Sequence, residues 1–245
     1  MEGSLREHEH IEFLSDRLRL IVSPEHTFGT DALLLAAFAF PKQNEEACDL
    51  GTGCGIIPLL MQRHRPPKKI WAVDIQPDAI EQLRLGIEKS GGRNIEPVCA
   101  DLRELPMLPA GQFDLVTCNP PYKVNNAGFQ SVITAQKIAR HEILCTIDDV
   151  CAAAQKLLKF GGRLCVCNRP ERLSDVIFAM KNHDIEPKRL RFVSKNADEA
   201  PWLFLIEGKK GSKPFMKVEP QLYIRSENGF TDELQRIYDT GKEQP

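Results

Sequence analysis

The sequence lacks any apolar run long enough to cross a bilayer. Its longest, Ala32 to Phe40, is stopped by Pro41 far short of the ~20 residues a spanning helix needs. A signal-peptide layout is also missing, because Glu7 and Glu9 occupy the start where basic and then apolar residues would be required. A cytoplasmic protein with no membrane partner is therefore expected. Neither sign of charge is in surplus: 32 Lys and Arg face 34 Asp and Glu, for a formal net charge of −2. That balance excludes a globally basic nucleic-acid binder, so any RNA contact must come from a local patch. None of the eight cysteines forms a CxxC pair, which removes support for a zinc ribbon or a thioredoxin-type site. Cys165 and Cys167 share one face of a strand, and several others sit in apolar runs, so buried free thiols are expected. His8, His10 and His26 are not spaced with further ligands, and no metal is expected. No repeat or low-complexity tract is visible.

What is present is the material for a large core: 245 residues, 42% of them hydrophobic. From Ala47 onward, short β-rich runs alternate with helical patterns. Strands are expected at 47–50, 70–74, 95–99, 114–118, 163–167, 189–194 and 202–207, and helices at 56–64, 77–90, 147–159 and 172–183. The strands are apolar on both faces, so the expected fold is α/β: a doubly wound, Rossmann-like, mostly parallel sheet of seven strands. The last two strands follow one another without a helix, which predicts a terminal antiparallel hairpin. Upstream, the alternation of Leu18, Leu20 and Val22 with Arg17, Arg19 and Ile21 predicts a half-buried strand. A buried helix follows, with Thr30 as its N-cap and Pro41 as its stop. A further short helix is expected at Thr231 to Tyr238.

Chemistry enters with Asp49-Leu50-Gly51-Thr52-Gly53-Cys54-Gly55, a glycine-rich turn between a strand and a helix. Such a turn lets backbone approach a ligand closely and lies at the carboxyl edge of a doubly wound sheet. A dinucleotide turn uses GxGxxG with a pyrophosphate on the helix N-terminus. Here the spacing is DxGxGxG. Asp49 repels an anion but suits a ligand that carries an ammonium group and no phosphate, as S-adenosylmethionine does. Asp74 ends the next strand, where an acidic side chain accepts ribose hydroxyls. Asp101 follows the third strand. Carboxylates at strand ends often just cap helices, but three in order, each at a carboxyl end, form a pattern.

The second signal is Asn119-Pro120-Pro121-Tyr122, directly after the fourth strand. Two prolines stiffen the backbone and remove two amide donors. The Pro120 carbonyl and the Asn119 amide oxygen are then two acceptors for one NH2 group, and Tyr122 offers a flat face for a planar group. An exocyclic amine is a weak nucleophile because its lone pair is delocalised, so localising that pair and placing the nitrogen are tasks for the protein. A buried turn without a catalytic role is the plain alternative.

The glycine loop resembles the first motif of class I methyltransferases, and its pairing with NPPY resembles the amino-methyltransferases of adenine N6, guanine N2 or glutamine nitrogen. Phe28-Gly29-Thr30-Asp31-Ala32-Leu33-Leu34-Leu35 and Ala139-Arg140-His141-Glu142 further resemble the bacterial tRNA (adenine-N6)-methyltransferases that act just 3′ of a valine tRNA anticodon. The resemblance covers roughly residues 15–210. It implies a class I methyltransferase sheet and a tRNA substrate. It also implies a cofactor site of Thr30, Asp49, Gly51, Gly53, Gly55, Asp74, Ile75, Asp101, Leu102 and Asn119, with Asp101 on the cofactor's adenine amine. The catalytic group would be Asn119, Pro120, Pro121 and Tyr122, and Lys123 stands where relatives often carry an aromatic residue. Residues 1–45 are expected as a substrate-side extension, 46–210 as the cofactor-binding domain and 211–245 as a polar extension.

Residues 186–217 hold eight Lys or Arg against four acids, a surplus of four that either tracks phosphates or is simply solvated. Within it, Lys209 and Lys210 join Tyr122 and Lys123 as expected substrate contacts. Glutamine-N5 methylation of a protein, or amino-methylation of rRNA or DNA, uses the same NPPY chemistry; the short, strand-like N-terminal segment favours RNA over the protein. A nucleotide- or NAD-binding protein without methyl transfer is the alternative of a different class. The oligomeric state is open.

Overall fold

The computed structural model describes residues 4–63, 66–92, 94–120, 145–227 and 229–239. Its strands, in chain order, are β1 (His10–Phe13), β2 (Arg19–Val22), β3 (Glu46–Leu50), β4 (Lys69–Asp74), β5 (Ile95–Cys99), β6 (Phe113–Cys118), β7 (Leu158–Asn168), β8 (Ile185–Ser194) and β9 (Leu203–Lys210). Four two-residue strands follow: β10 (Lys217–Val218), β11 (Leu222–Tyr223), β12 (Arg225–Ser226) and β13 (Gly229–Phe230). The helices are α1 (Thr30–Ala39), α2 (Ile56–Leu60), α3 (Pro77–Ser90), α4 (Ile147–Leu157), α5 (Leu173–Asn182) and α6 (Asp232–Asp239).

Apolar side chains along the central strands divide between two faces with a period of two. In β7, Cys165 and Cys167 join one buried cluster while Leu164 and Val166 join the other. In β9, Leu203 and Leu205 part from Phe204 and Ile206 in the same way. Helices α1, α2 and α3 cover the first face, and α4 and α5 the second. A sheet buried on both sides is what continuous apolar strands require.

The main sheet runs β10-β8-β9-β7-β6-β3-β4-β5, with β11 also on β8. All pairings in it are parallel except those of β9, which lies antiparallel between β7 and β8. The seven expected strands and the terminal hairpin are therefore present. The C-terminal segment adds something unforeseen, because β10 and β11 extend the sheet along β8. From β3 the chain steps to β4 and β5 on one side and later to β6 on the other. The carboxyl ends of β3 and β6 thus flank the point where the winding reverses, the usual place for a ligand crevice.

Two expectations near the N-terminus need correction. The strand expected to be half-buried has Leu20, Ile21 and Val22 all buried. It pairs with β1, which the sequence did not suggest, and its other side is covered by α3. Gly86 allows that approach: a Cβ there would stand 3.2 Å from the Arg19 carbonyl, and Ser90 Oγ bonds the Arg19 amide at 2.8 Å. Thr30 is not the cap of α1 but its first helical residue. Gly29 is the cap and, having no side chain, makes no capping bond; the Asp31 carboxylate lies where a Cβ on Gly29 would stand.

The far end of α1 is tied down by charge. Arg163 donates to the Ala39 carbonyl at 2.8 Å and Arg189 to the Phe38 carbonyl at 2.6 Å. Glu207 pairs with both guanidinium groups, and Glu45 with Arg163. Cations on the last carbonyls interact favourably with the negative end of the helix dipole and fix the C-terminal end of α1. No helix among the described residues is long and apolar enough to cross a membrane.

Candidate active site

The turn after β3 is shaped by backbone hydrogen bonds. Thr52 N–H donates to the Val73 carbonyl at 2.9 Å, and Gly53 N–H donates to Asp74 Oδ2 at 2.8 Å. Gly51 and Gly53 take φ of 69° and 54°, and a Cβ on either would meet nothing within 4 Å. Their missing side chains leave room that opens into a cavity of about 300 Å³. Gly55 differs: a Cβ there would collide with Leu83 of α3. Its absence serves helix packing rather than ligand approach, and Gly55 does not line the cavity.

Gly51, Gly53, Asp74, Ile75, Asp101, Leu102, Asn119 and Pro120 open onto this one cavity. The structure thus brings the glycine turn, two of the strand-end acids and the start of the tetrapeptide together. Asp74 is nearly buried and accepts from Gly53 N–H and, at 2.9 Å, from Gln76 N–H. Asp101 is gripped by Arg103, whose Nη2 lies 2.5 Å from Oδ2. This guanidinium holds the carboxyl below its ordinary range, and nothing in the sequence reading pointed to it.

Asp49 lies beneath the cavity rather than on its wall and is only 1% exposed. Its Oδ1 accepts from the Thr117 hydroxyl at 2.6 Å, while Oδ2 is buried without a hydrogen-bond partner. Burial pushes its pKa up to about 7, helped by the nearby Asp74 charge and against the opposing effects of the Thr117 and Thr52 hydroxyls. A buried carboxyl group beneath a turn whose Gly51 and Gly53 leave open space gives the cavity floor a character that suits an ammonium-bearing ligand. The residues present therefore fit S-adenosylmethionine.

Other expected site residues are not brought in. Thr30 does not line the cavity, although its neighbour Asp31 does, as do Glu25, His26 and Thr27 of the β2–α1 connection. Only the quoted GTDALLL motif could have pointed to Asp31. Pro121, Tyr122 and Lys123, and the segment 139–142, lie outside the described residues. Lys209 and Lys210 sit at the end of β9, opposite Arg163 and Ile185 at the amino edge of the sheet, away from the cavity. Lys210 is spent on the carbonyls of Gln155 and Leu158. A larger cavity of about 600 Å³ lies between α1, α2 and α6, but its walls are mostly apolar and hold none of the strand-end acids.

Residues 41–204 match the family model described as a methyltransferase domain. A tRNA1(Val) (adenine(37)-N6)-methyltransferase from Parabacteroides distasonis is 30% identical over 180 residues, spanning 73% of this chain and 75% of the relative. The chain belongs to the S-adenosylmethionine-dependent methyltransferases. Solved members share its fold at low identity. A predicted O-methyltransferase from Agrobacterium tumefaciens superposes with a TM-score of 0.70 at 20% identity, covering 86% of this chain and 96% of that one. TYW2 from M. jannaschii, in complex with AdoMet, gives 0.56 at 17% identity, covering 84% and 88%. The nucleotide-binding protein without methyl transfer is set aside by this membership.

Proposed function

We propose that this methyltransferase acts on the exocyclic N6 amine of an adenine in tRNA, at a position of the anticodon-loop 37 type. The observation that carries the reading is the shared cavity onto which Gly53, Asp74 and Asn119 all open. The tRNA and the position are supported by the similarity to the Parabacteroides tRNA1(Val) (adenine(37)-N6)-methyltransferase and by the GTDALLL and ARHE segments.

In this reading Asp74 accepts the ribose hydroxyls, Asp101 the adenine amine of the cofactor, and Asp49 faces its ammonium, with Ile75 and Leu102 as apolar walls. S-adenosylmethionine, when bound, supplies an electrophilic methyl carbon on a sulfonium. Asn119 Oδ1 and the Pro120 carbonyl accept the two protons of the substrate amine, which leaves its lone pair directed at that carbon. On methyl transfer, one of the two amine protons held by Asn119 Oδ1 and the Pro120 carbonyl would leave to solvent. Pro121 stiffens the turn, and Tyr122 stacks the base once it has left its own stack. Anticodon loops make that extrusion inexpensive because their bases are already splayed. Lys123 follows as a contact for the RNA.

Mass spectrometry of nucleosides from bulk tRNA, with and without the gene, tests the substrate. Loss of N6-methyladenosine is expected. An unchanged profile, with loss of a methylated glutamine in the proteome, would transfer the same chemistry to a protein substrate.

A further inference from the structure

An asparagine that must accept a hydrogen bond from an NH2 group has an orientation problem. Its amide can turn over, and then presents NH2 where the substrate also has NH2. The tetrapeptide alone does not decide which way Asn119 faces. We propose that Asp31 and Cys167 are positioning residues that lock the Asn119 amide with its oxygen available to the acceptor amine. The proposal rests on the reading of Asn119 as the amine-binding group.

Asn119 Nδ2 donates to Asp31 Oδ2 at 3.2 Å, and Cys167 Sγ donates to Asn119 Oδ1 at 3.0 Å. A carboxylate only accepts. The Cys167 thiol is fully buried, and burial, with the nearby Asp31 and Asp49 charges, pushes its pKa well up, so it keeps its proton and donates to the asparagine oxygen. Turning the amide would set its oxygen against the Asp31 carboxylate, a repulsion in place of a bond, and would exchange the S–H donation for a weaker one to the thiol sulfur. One orientation survives. Cys167 occupies one of the two lone pairs on Oδ1 and leaves the other for the substrate.

Three elements are built to make this meeting. Cys118 and Val166 pair across β6 and β7, which places Cys167 beside Asn119. Asp31 stands in the first turn of α1, whose other end is anchored by Arg163 and Arg189. Gly29 makes the space: a Cβ there would lie 2.5 Å from Asp31 Oδ1, so any other residue would push the carboxylate aside. The same carboxylate lines the cavity wall, so its influence on turnover must be separated from any influence on cofactor affinity.

The test is the rate at saturating cofactor and RNA in five variants, with Asn119→Ala as the reference. Asp31→Ala and Gly29→Ala are expected to lower kcat roughly ten- to a hundredfold, the scale of misplacing a reacting group. Asp31→Asn should recover part of the loss, since an amide oxygen also accepts. Cys167→Ser should retain most of the rate that Cys167→Ala loses. In nitrogen-15 spectra, the Asn119 side-chain NH2 resonance should shift in Asp31→Asn. Full kcat in Asp31→Ala, with the whole effect in the KM for cofactor, would overturn the proposal. If Asp31→Ala does not fold, Gly29→Ala and Asp31→Asn decide on the same criteria. Turnover surviving in Asn119→Ala would instead sink the reading of the site itself, a different result from an inactive Asn119→Ala beside fully active Asp31 variants.

Discussion

A carboxyl group buried to 1% with one oxygen unpaired, as Asp49 is, costs stability whenever it is charged. Its folded pKa stands at about 7 against an ordinary 3.8, so between those values the folded chain binds a proton that the unfolded chain has released. Stability from this group is therefore fully present below about pH 4 and is lost as pH rises to about 7. Asp49→Asn should flatten that slope and stabilise the cofactor-free protein at pH 8 by on the order of 2–4 kcal/mol, while weakening the cofactor. Urea midpoints at several pH values would show it, and parallel slopes in both proteins would mean Asp49 is not the group responsible. The residue types of the turn were legible in the sequence because spacing fixes which glycines and acids share it. The orphaned oxygen and the Arg103 grip on Asp101 were not, since both depend on which side chains the packing happens to bring near.

At the scale of elements, the three glycines of the turn divide into two kinds. Gly53 faces open space and Gly55 faces Leu83, although both take positive φ. Gly53→Ala should cost roughly 1–2 kcal/mol from backbone strain at its positive φ yet weaken cofactor binding at least tenfold. Gly55→Ala should do the reverse, lowering stability by roughly 1–3 kcal/mol through overpacking and touching affinity only indirectly. Thermal melts with and without S-adenosylhomocysteine separate the two, and equal loss of ligand stabilisation in both would contradict the division. The strands and helices of the sheet were legible because a period of two with apolar residues on both faces admits few alternatives. The pairing of β1 with β2 and the addition of β10 and β11 were not. Two- and four-residue strands carry too little pattern, and their stability comes from the neighbours they join.

Across the whole molecule, charge is arranged differently from a count along the chain. Glu219 and Glu233, just past the basic stretch, pair with Arg189 and Arg191, and Lys188 is held by the carbonyls of residues 213–215. Much of the surplus is thus used internally, which a window ending at 217 concealed. Lys209 faces the amino edge of the sheet, whereas Lys195 follows β8 at the carboxyl edge that carries the cavity. Charge reversal at Lys209 is expected to leave RNA affinity within about twofold, and reversal at Lys195 to weaken it and reduce the salt slope by about one. Titrations at several salt concentrations would expose the opposite ranking if RNA approaches from the other edge. The most direct measurement uses purified protein, S-adenosylmethionine with a labelled methyl group and an unmodified valine tRNA, followed by digestion to nucleosides. The account predicts label in N6-methyladenosine, from an anticodon-loop fragment and absent with Asn119→Ala. Label in another nucleoside, or undiminished label with Asn119→Ala, would contradict it.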